Sequence, residues 1–313
     1  MRILLVGCSG FVGRGLVPLL LEQGHQLALV SRSAQPLPAI AHPQLSRLQA
    51  DPSEPASWQR PDLQAALAAA DAVVNLAGEP IAEQRWTPQH LKRLHDSRIL
   101  TTRYLVEAIA GLPAGQRPPL LINGSAIGYY GTSTTACFVE DSPAGGDVLG
   151  QLCVAWEAEA RRAEAFCRVV ILRTGIVLGA DGGALGKMLP VFRLGFGGPI
   201  GDGQQWMSWI SRRDLCHLIG VALSDPAYAG VYNAVAPQPC TMAAFAAALG
   251  RCLGRPSLLP VPGPILSLLL GDGAKVVLEG QQVLPQRLQQ QGFAFDDPEL
   301  SAALAAATSP APR

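Results

Sequence analysis

The stretch Gly7-Cys8-Ser9-Gly10-Phe11-Val12-Gly13 sets a glycine at every third position, directly after the apolar run Arg2–Val6 and directly before a segment with helical spacing. Strand, glycine turn and helix in that order are the parts of a phosphate-binding turn. Gly7 lets the chain fold back off the strand, and Gly10 lets the backbone around Ser9, Phe11 and Val12 approach a pyrophosphate. Gly13 lets the helix pack closely on the sheet. The helix N-terminus then offers unpaired N–H donors and the positive end of its dipole to the anion. The expected chemistry is dinucleotide binding.

A dinucleotide site of this type reads the adenosine ribose at the end of the second strand, where an acid about 20 residues on selects a free 2′-hydroxyl. Between Glu22 and Asp51 the chain has no acidic residue, and the run LALV ends in Ser31-Arg32. A guanidinium pairs with a 2′-phosphate and a serine hydroxyl donates to it, whereas a carboxylate repels it. NADP(H) is therefore expected over NAD(H). A solvated loop arginine is the competing reading of Arg32. Farther on, Asp51 suits either an adenine contact or a cap. The small residues ending the fourth apolar run, Leu76-Ala77-Gly78, let a cofactor ribose lie against their backbone.

These residues need a scaffold, and the hydrophobic pattern supplies one. Short β-branched runs at Arg2–Val6, Gln26–Ser31, Leu45–Gln49, Ala72–Leu76, Leu120–Asn123 and Val169–Arg173 alternate with helical spacing at Val12–Gln23, Asp62–Ala69, Pro88–Ile109 and Gln151–Phe166. Such alternation predicts an α/β fold, a Rossmann-type doubly wound parallel sheet, and runs this apolar are strands covered on both faces. Residues 1–178 are expected to form the nucleotide-binding domain, with segments at about 205–235 returning to it through a helix at Arg213–Leu223 and a strand at Val231–Ala234. A smaller, mostly helical substrate-side region is expected over 179–307, and a disordered tail over 308–313.

The composition narrows the function. Of 313 residues 49% are hydrophobic, and 24 basic side chains balance 24 acidic ones. A large core is available, and a nucleic-acid binder, which needs a basic surplus, is not expected. The 33 glycines and 26 prolines follow no period and punctuate loops. Seven cysteines without a C-x-x-C pair suit a reducing compartment, and five histidines form no metal-spaced set, so no metal is expected. The N-terminal apolar run is too short for a signal peptide, and Pro256–Gly271 is short of the roughly 20 residues needed to cross a bilayer. A cytoplasmic protein without a membrane partner follows, a monomer or homodimer acting on a small molecule.

The motifs GCSGFVG (7–13), LVSRS (29–33), NLAGEPI (75–81), RWTPQHLKRLHDSRILTT (85–102), SAIGYYG (125–131), LRTGIVLG (172–179), WISRRDL (209–215) and GQQVLPQRLQQQGFAF (280–295) cover nearly the whole chain. They resemble the extended short-chain dehydrogenase/reductases, the superfamily of sugar-nucleotide epimerases and dehydratases. The match is closest to an atypical epimerase-like branch with a C-terminal domain of unknown function. The resemblance implies NADP(H) contacts at Ser31, Arg32, Leu76 and Ala77, and adds Arg98 and Val177. It also exposes a departure. Where the superfamily carries a Tyr-x-x-x-Lys pair followed by a Glu, this chain has Leu149, Cys153 and Glu157. A leucine transfers no proton, and a cysteine supplies no cation beside the ribose. Ser125 and Tyr129 are the candidate catalytic substitutes, with Tyr130 in the same loop. Glu79, Arg85, Lys92, Arg173, Lys187 and Asp214 are further polar candidates, Arg173 as a strand brace and Asp214 as a helix cap. Trp86, Trp206 and Trp209 are candidate pocket walls, and Trp156 is expected in the core.

Two functions follow. One is an NADP(H)-dependent, epimerase-like oxidoreductase acting on a small polar substrate, with sugar-like compounds among the expected ones. The other is a catalytically degenerate NADP(H)-binding regulator, linked to cell division or redox sensing.

Overall fold

The computed structural model describes residues 1–33 and 40–309. Seven strands, β1 (Arg2–Val6), β2 (Gln26–Ser31), β3 (Leu45–Gln49), β4 (Ala72–Asn75), β5 (Leu120–Ala126), β6 (Arg168–Thr174) and β7 (Gly230–Ala234), form one parallel sheet in the order β7-β6-β5-β4-β1-β2-β3. The chain reverses direction across the sheet between β1 and β4, and in open α/β sheets ligands bind at the carboxyl ends of the strands at such a switch point.

Alternation within the strands divides the core. On β1, Ile3 and Leu5 face a cluster with Leu16 and Leu20 of α1 (Gly13–Glu22), together with Leu215 and Ile219 on the same side. Leu4 and Val6 face the opposite cluster, with Leu63 and Leu67 of α2 (Pro61–Ala68). α3 (Pro88–His95) and α4 (Thr101–Gly111) follow, and Leu105 and Ile109 of α4 join that second cluster. The spacing predicts one helix over Pro88–Ile109. The structure joins α3 and α4 through a π-helical turn, Asp96–Leu100, which holds Arg98 buried. Single π-turns of this kind recur at functional sites.

α5 (Val148–Arg161) starts three residues before the predicted Gln151, because Asp147 accepts from the Gly150 N–H at 2.7 Å and caps it there. Beyond β6 lie α6 (Gly183–Arg193) and α7 (Arg212–Ser224). Asp214 is not the cap of α7. Ser211 accepts from the Asp214 N–H at 3.0 Å, while the Asp214 carboxylate takes the N–H groups of Asp296 and Asp297 and pins the C-terminal segment to the start of α7. The remaining helices are α8 (Met242–Leu253), α9 (Gly263–Leu270), α10 (Lys275–Leu278), α11 (Gln286–Gln290) and α12 (Leu300–Thr308). α6, α8 and α12 share a third cluster through Leu189, Phe192, Phe245, Leu249 and Leu304, with Trp209 fully buried among them. Trp209 is thus a core residue rather than a pocket wall.

Among the described residues no helix is long and apolar enough to cross a membrane.

Candidate functional site

The glycine turn between β1 and α1 has the geometry its spacing implies. Gly7 has φ +74°, and a Cβ there would lie 2.3 Å from the Ala77 backbone at the end of β4. At Gly13 a Cβ would lie 1.7 Å from the Cys8 carbonyl oxygen. Both glycines are required by backbone against backbone. Gly10 differs: a Cβ there meets nothing within 4 Å, so the turn is open on the side where Ser9 and Gly10 are exposed. No side chain caps α1, as none caps α2, α4, α6, α9, α10, α11 or α12, so its first N–H groups have no side-chain acceptor. An uncapped, unobstructed helix N-terminus beside a glycine turn is an anion site built from backbone.

The turn is also clamped from the other side of the chain. Phe11 packs where side chains on Gly179 and Gly182 would intrude, Arg212 bonds Asp181 Oδ1 at 2.7 Å and the Phe11 carbonyl at 3.3 Å, and Arg14 bonds the Asp181 carbonyl at 2.9 Å. Sequence reasoning missed Asp181 and Arg212, whose partners lie far away along the chain. Val12, Leu76 and Val177 all pack against the first cluster beneath the turn.

At the end of β2, Ser31 Oγ accepts from the Ser33 N–H at 3.2 Å, and the Arg32 guanidinium is 64% exposed. No acidic residue lies near Arg32 in sequence, but one reaches it in space. Glu79 carries its carboxylate to 3.5 Å from Arg32 and 3.9 Å from Arg93. The Glu79 backbone is held by Arg98, which donates to its carbonyl at 2.9 Å, and by Ser97, which accepts its N–H at 3.0 Å. Arg98 stacks over Trp156 at 5.3 Å, and a Cβ on Gly78 would lie 3.1 Å from its guanidinium carbon. Burial lowers the Arg98 pKa to about 10, which leaves it charged at neutral pH. Asp51 accepts from both the N–H and the hydroxyl of Ser53 and closes a local turn.

Next to the turn, the carboxyl ends of β5 and β6 face a cavity of about 540 Å³, with Arg98, Ala126, Cys153, Thr174 and Gly175 on the sheet side. Trp86 and Trp206 form parts of its walls, as the sequence anticipates. A second hollow, of about 390 Å³ over Arg2, Gln26 and Gln44, lies at the amino ends of the strands, away from the switch point.

Leu149 and Cys153 both line the larger cavity, at the places of the superfamily's tyrosine and lysine. Burial pushes the Cys153 thiol up to about 11, so at neutral pH it is a neutral wall group. Ser125 and Tyr129, the candidate catalytic pair, are not among the lining residues. Ser125 is buried and donates to Glu157 at 2.8 Å. The Tyr129 ring lies under the Arg173 guanidinium at 3.3 Å. Arg173 forms a two-pronged pair with Glu157 at 2.7 and 2.9 Å and donates to the Tyr130 hydroxyl, which donates to Asn233 at 2.7 Å. Burial opposes the Arg173 charge, but the Glu157 bonds outweigh it and hold its pKa above the usual range. Burial lifts Tyr130 to about 12. The Tyr130 hydroxyl is thereby engaged within the protein, and the brace expected of Arg173 gathers both rings.

Sequence reasoning also missed a second polar cluster under the site. Asn75 donates to Asn123 at 2.7 Å and to Thr102 at 3.0 Å, and the Trp156 indole N–H reaches Thr102 at 2.9 Å. Two asparagines inside otherwise apolar strands were the available signal, since buried amides need partners. Of the remaining polar candidates, Lys187 pairs with Glu83 at 3.3 Å and Lys92 with Asp96, while exposed Arg85 packs across Gly271.

Comparison with known proteins agrees with this geometry. Residues 3–235 match the NAD dependent epimerase/dehydratase family, and residues 261–307 match a domain of unknown function, DUF1731. The chain is 44% identical over 299 residues to the chloroplastic epimerase family protein SDR39U1 homolog of Arabidopsis thaliana, covering 94% of this chain and 83% of that one. With epimerase family protein SDR39U1 of Homo sapiens it shares 40% over 309 residues, covering 97% and 98%. A crystal structure of the human protein (isoform 2) with NADPH superposes with a TM-score of 0.87 at 39% identity, covering 98% of this chain and 99% of that one.

Proposed function

Because the chain belongs to the NAD dependent epimerase/dehydratase family, we propose that it is an NADP(H)-dependent oxidoreductase whose substrate enters the cavity beside Cys153 and Leu149. The observation that carries this reading is the turn itself: backbone-locked at Gly7 and Gly13, open at Gly10, and leading into an uncapped helix. Gly7 and Gly13 serve the packing of the turn, and the open position at Gly10 beside the helix N-terminus fits a pyrophosphate. The relative crystallised with NADPH supports the same cofactor.

In this reading Ser9 to Gly13 hold the pyrophosphate through backbone N–H groups. Ser31 and Arg32 take the 2′-phosphate, and the backbone of Leu76, Ala77 and Gly78 lies along a ribose. Val177 packs beneath the turn and supports it. Arg98 presents a fixed positive charge on the sheet side of the cavity. The bound cofactor supplies hydride transfer. The protein's part is to orient the reactants and exclude water, because Ser125 and Tyr130 have donated their protons elsewhere. Leu149 makes that wall apolar.

A second reading is favoured by Leu149 and Cys153 together: a regulator that binds the cofactor and catalyses nothing. Calorimetric titration with NADPH and NADH tests the shared premise. Arg32→Asp is expected to raise the NADPH dissociation constant about 100-fold, the loss of charge-assisted bonds to a phosphate, while NADH changes less than about threefold. Equal losses for both would overturn the cofactor assignment. Turnover of any carbonyl substrate by the NADPH-bound protein decides for the enzyme over the regulator.

A further inference from the structure

The cavity's hydrogen-bonding groups show what kind of substrate it takes. Its surface is mostly apolar, with Ile81, Trp86, Leu149, Leu152, Ile176 and Trp206 contributing flat or aliphatic faces. The polar side chains among them have turned their donors into the protein. The Trp86 indole N–H donates to the Ile81 carbonyl at 2.9 Å, and that of Trp206 to the Thr134 carbonyl at 3.0 Å. Thr132 donates to Glu279 at 2.8 Å, Gln281 to the Ile127 carbonyl at 2.9 Å, and Ser208 to the Gln281 carbonyl at 2.9 Å. Even Thr174 donates back to its own strand, at 3.3 Å.

The charges point the same way. Three carboxylates, Asp147, Asp272 and Glu279, line the cavity against two cations, Arg98 and Lys275. Arg98 already donates to the carbonyls of Glu79 and Leu94. Lys275 is exposed and forms no ion pair among the described residues, which makes it the less engaged of the two cations that line the cavity. A nucleoside diphosphate carries two phosphates and asks for several cations and N–H donors, and a sugar ring asks for donors at its ring and carbonyl oxygens. This cavity offers carboxylates and indole faces instead.

We propose that the substrate subsite takes a flat, uncharged aromatic or conjugated carbonyl compound, stacked against Trp86 and Trp206 with its oxygen toward Lys275, and that it excludes nucleotide sugars. This deepens the oxidoreductase reading and rests on it for the reaction, though not for binding. In that reaction the carbonyl carbon gains a hydride from NADPH and its oxygen gains a proton from water or the Lys275 ammonium, giving an alcohol and NADP⁺. Such a substrate is less polar than the small polar one that the sequence leads one to expect.

Calorimetry on the intact chain, with and without NADPH, tests this using 2-acetylnaphthalene and UDP-glucose as probes. Saturable heat with the naphthyl ketone and none with UDP-glucose is expected. Trp86→Ala is expected to weaken ketone binding about tenfold, and Trp86→Phe to restore it to within about threefold, as an aromatic face would. If Trp86→Ala does not fold, Leu149→Asp puts a charge on the opposite wall and is expected to abolish ketone binding. Saturable UDP-glucose binding, or ketone affinity indifferent to both substitutions, would overturn the proposal. NADPH titrated into the same samples separates the two readings. NADPH binding without ketone binding sinks this proposal alone. Ketone binding without NADPH affinity upholds the subsite and sinks the cofactor assignment.

Discussion

The two ends of the cleft are built from different materials. The β1–α1 end is made of backbone: glycines fixed by close approach to Ala77 and Cys8, and a helix terminus with no side chain over it. The β5–α5 end is made of side chains, and they bond to one another. Ser125, Glu157, Arg173, Tyr130 and Asn233 form one buried chain of bonds that leaves Leu149 and Cys153 as the wall. A site made of backbone tolerates wide change in side chains and keeps its ligand. A site made of side chains keeps its chemistry only while those side chains face the cleft. Here the polar groups of the second end are bonded into a brace for the strand ends, so the two ends answer differently to substitution.

Removing a member of the brace gives the largest effect that sharpens this contrast. Arg173→Met leaves the buried Glu157 carboxylate with only the Ser125 hydroxyl and, at 3.8 Å, Arg161, which is expected to cost about 3 kcal/mol of stability. NADPH affinity of the folded protein is expected to stay within about twofold, since no bond of Arg173 reaches the turn. Urea unfolding and cofactor titration on the same preparation read both numbers. Lost affinity with unchanged stability would mean that the two ends are one site. A smaller and opposite effect is expected at Gly10. A Cβ there meets nothing in the protein, so Gly10→Val should leave the urea midpoint nearly unchanged, its side chain standing in the anion's approach. The NADPH dissociation constant is expected to rise about tenfold.

The same contrast explains what the sequence could tell. Glycine spacing is local, so Gly7, Gly10 and Gly13 were legible, as was a strand buried on both faces from its unbroken apolar run. The Ser31-Arg32 pair was legible because it sits at a fixed distance along the chain from the turn. What escaped was long-range pairing. Asp181 with Arg212, Asn75 with Asn123, and Glu157 with Arg173 are each joined only by the fold. Ser125 is a catalytic candidate by type and position, and only the fold shows that its hydroxyl donates to Glu157. The inward-turned donors around the larger cavity escaped for the same reason. The donors of Trp86 and Gln281 end on backbone carbonyls and that of Thr132 on Glu279, partners that only the fold brings near.

Glu79 is where the two kinds of construction meet, and it gives the smallest expected effect. The stretch from Glu22 to Asp51 was read as free of acids around Arg32, yet the fold brings the Glu79 carboxylate to 3.5 Å from that guanidinium. An incoming 2′-phosphate must displace or share this partner. A carboxylate about as close to the phosphate as to the arginine also repels it. An exposed pair of this kind is worth at most about 1 kcal/mol, because Arg32 is largely solvated and salt screens the interaction. Glu79→Gln keeps the shape and the backbone bonds to Arg98 and Ser97, and removes only the charge. It is expected to tighten NADPH binding by up to about fivefold and leave NADH unchanged, with the gain shrinking as salt is raised. Weaker NADPH binding in Glu79→Gln would instead make Glu79 a positioning residue for Arg32, and the second end's use of side chains would then extend into the first.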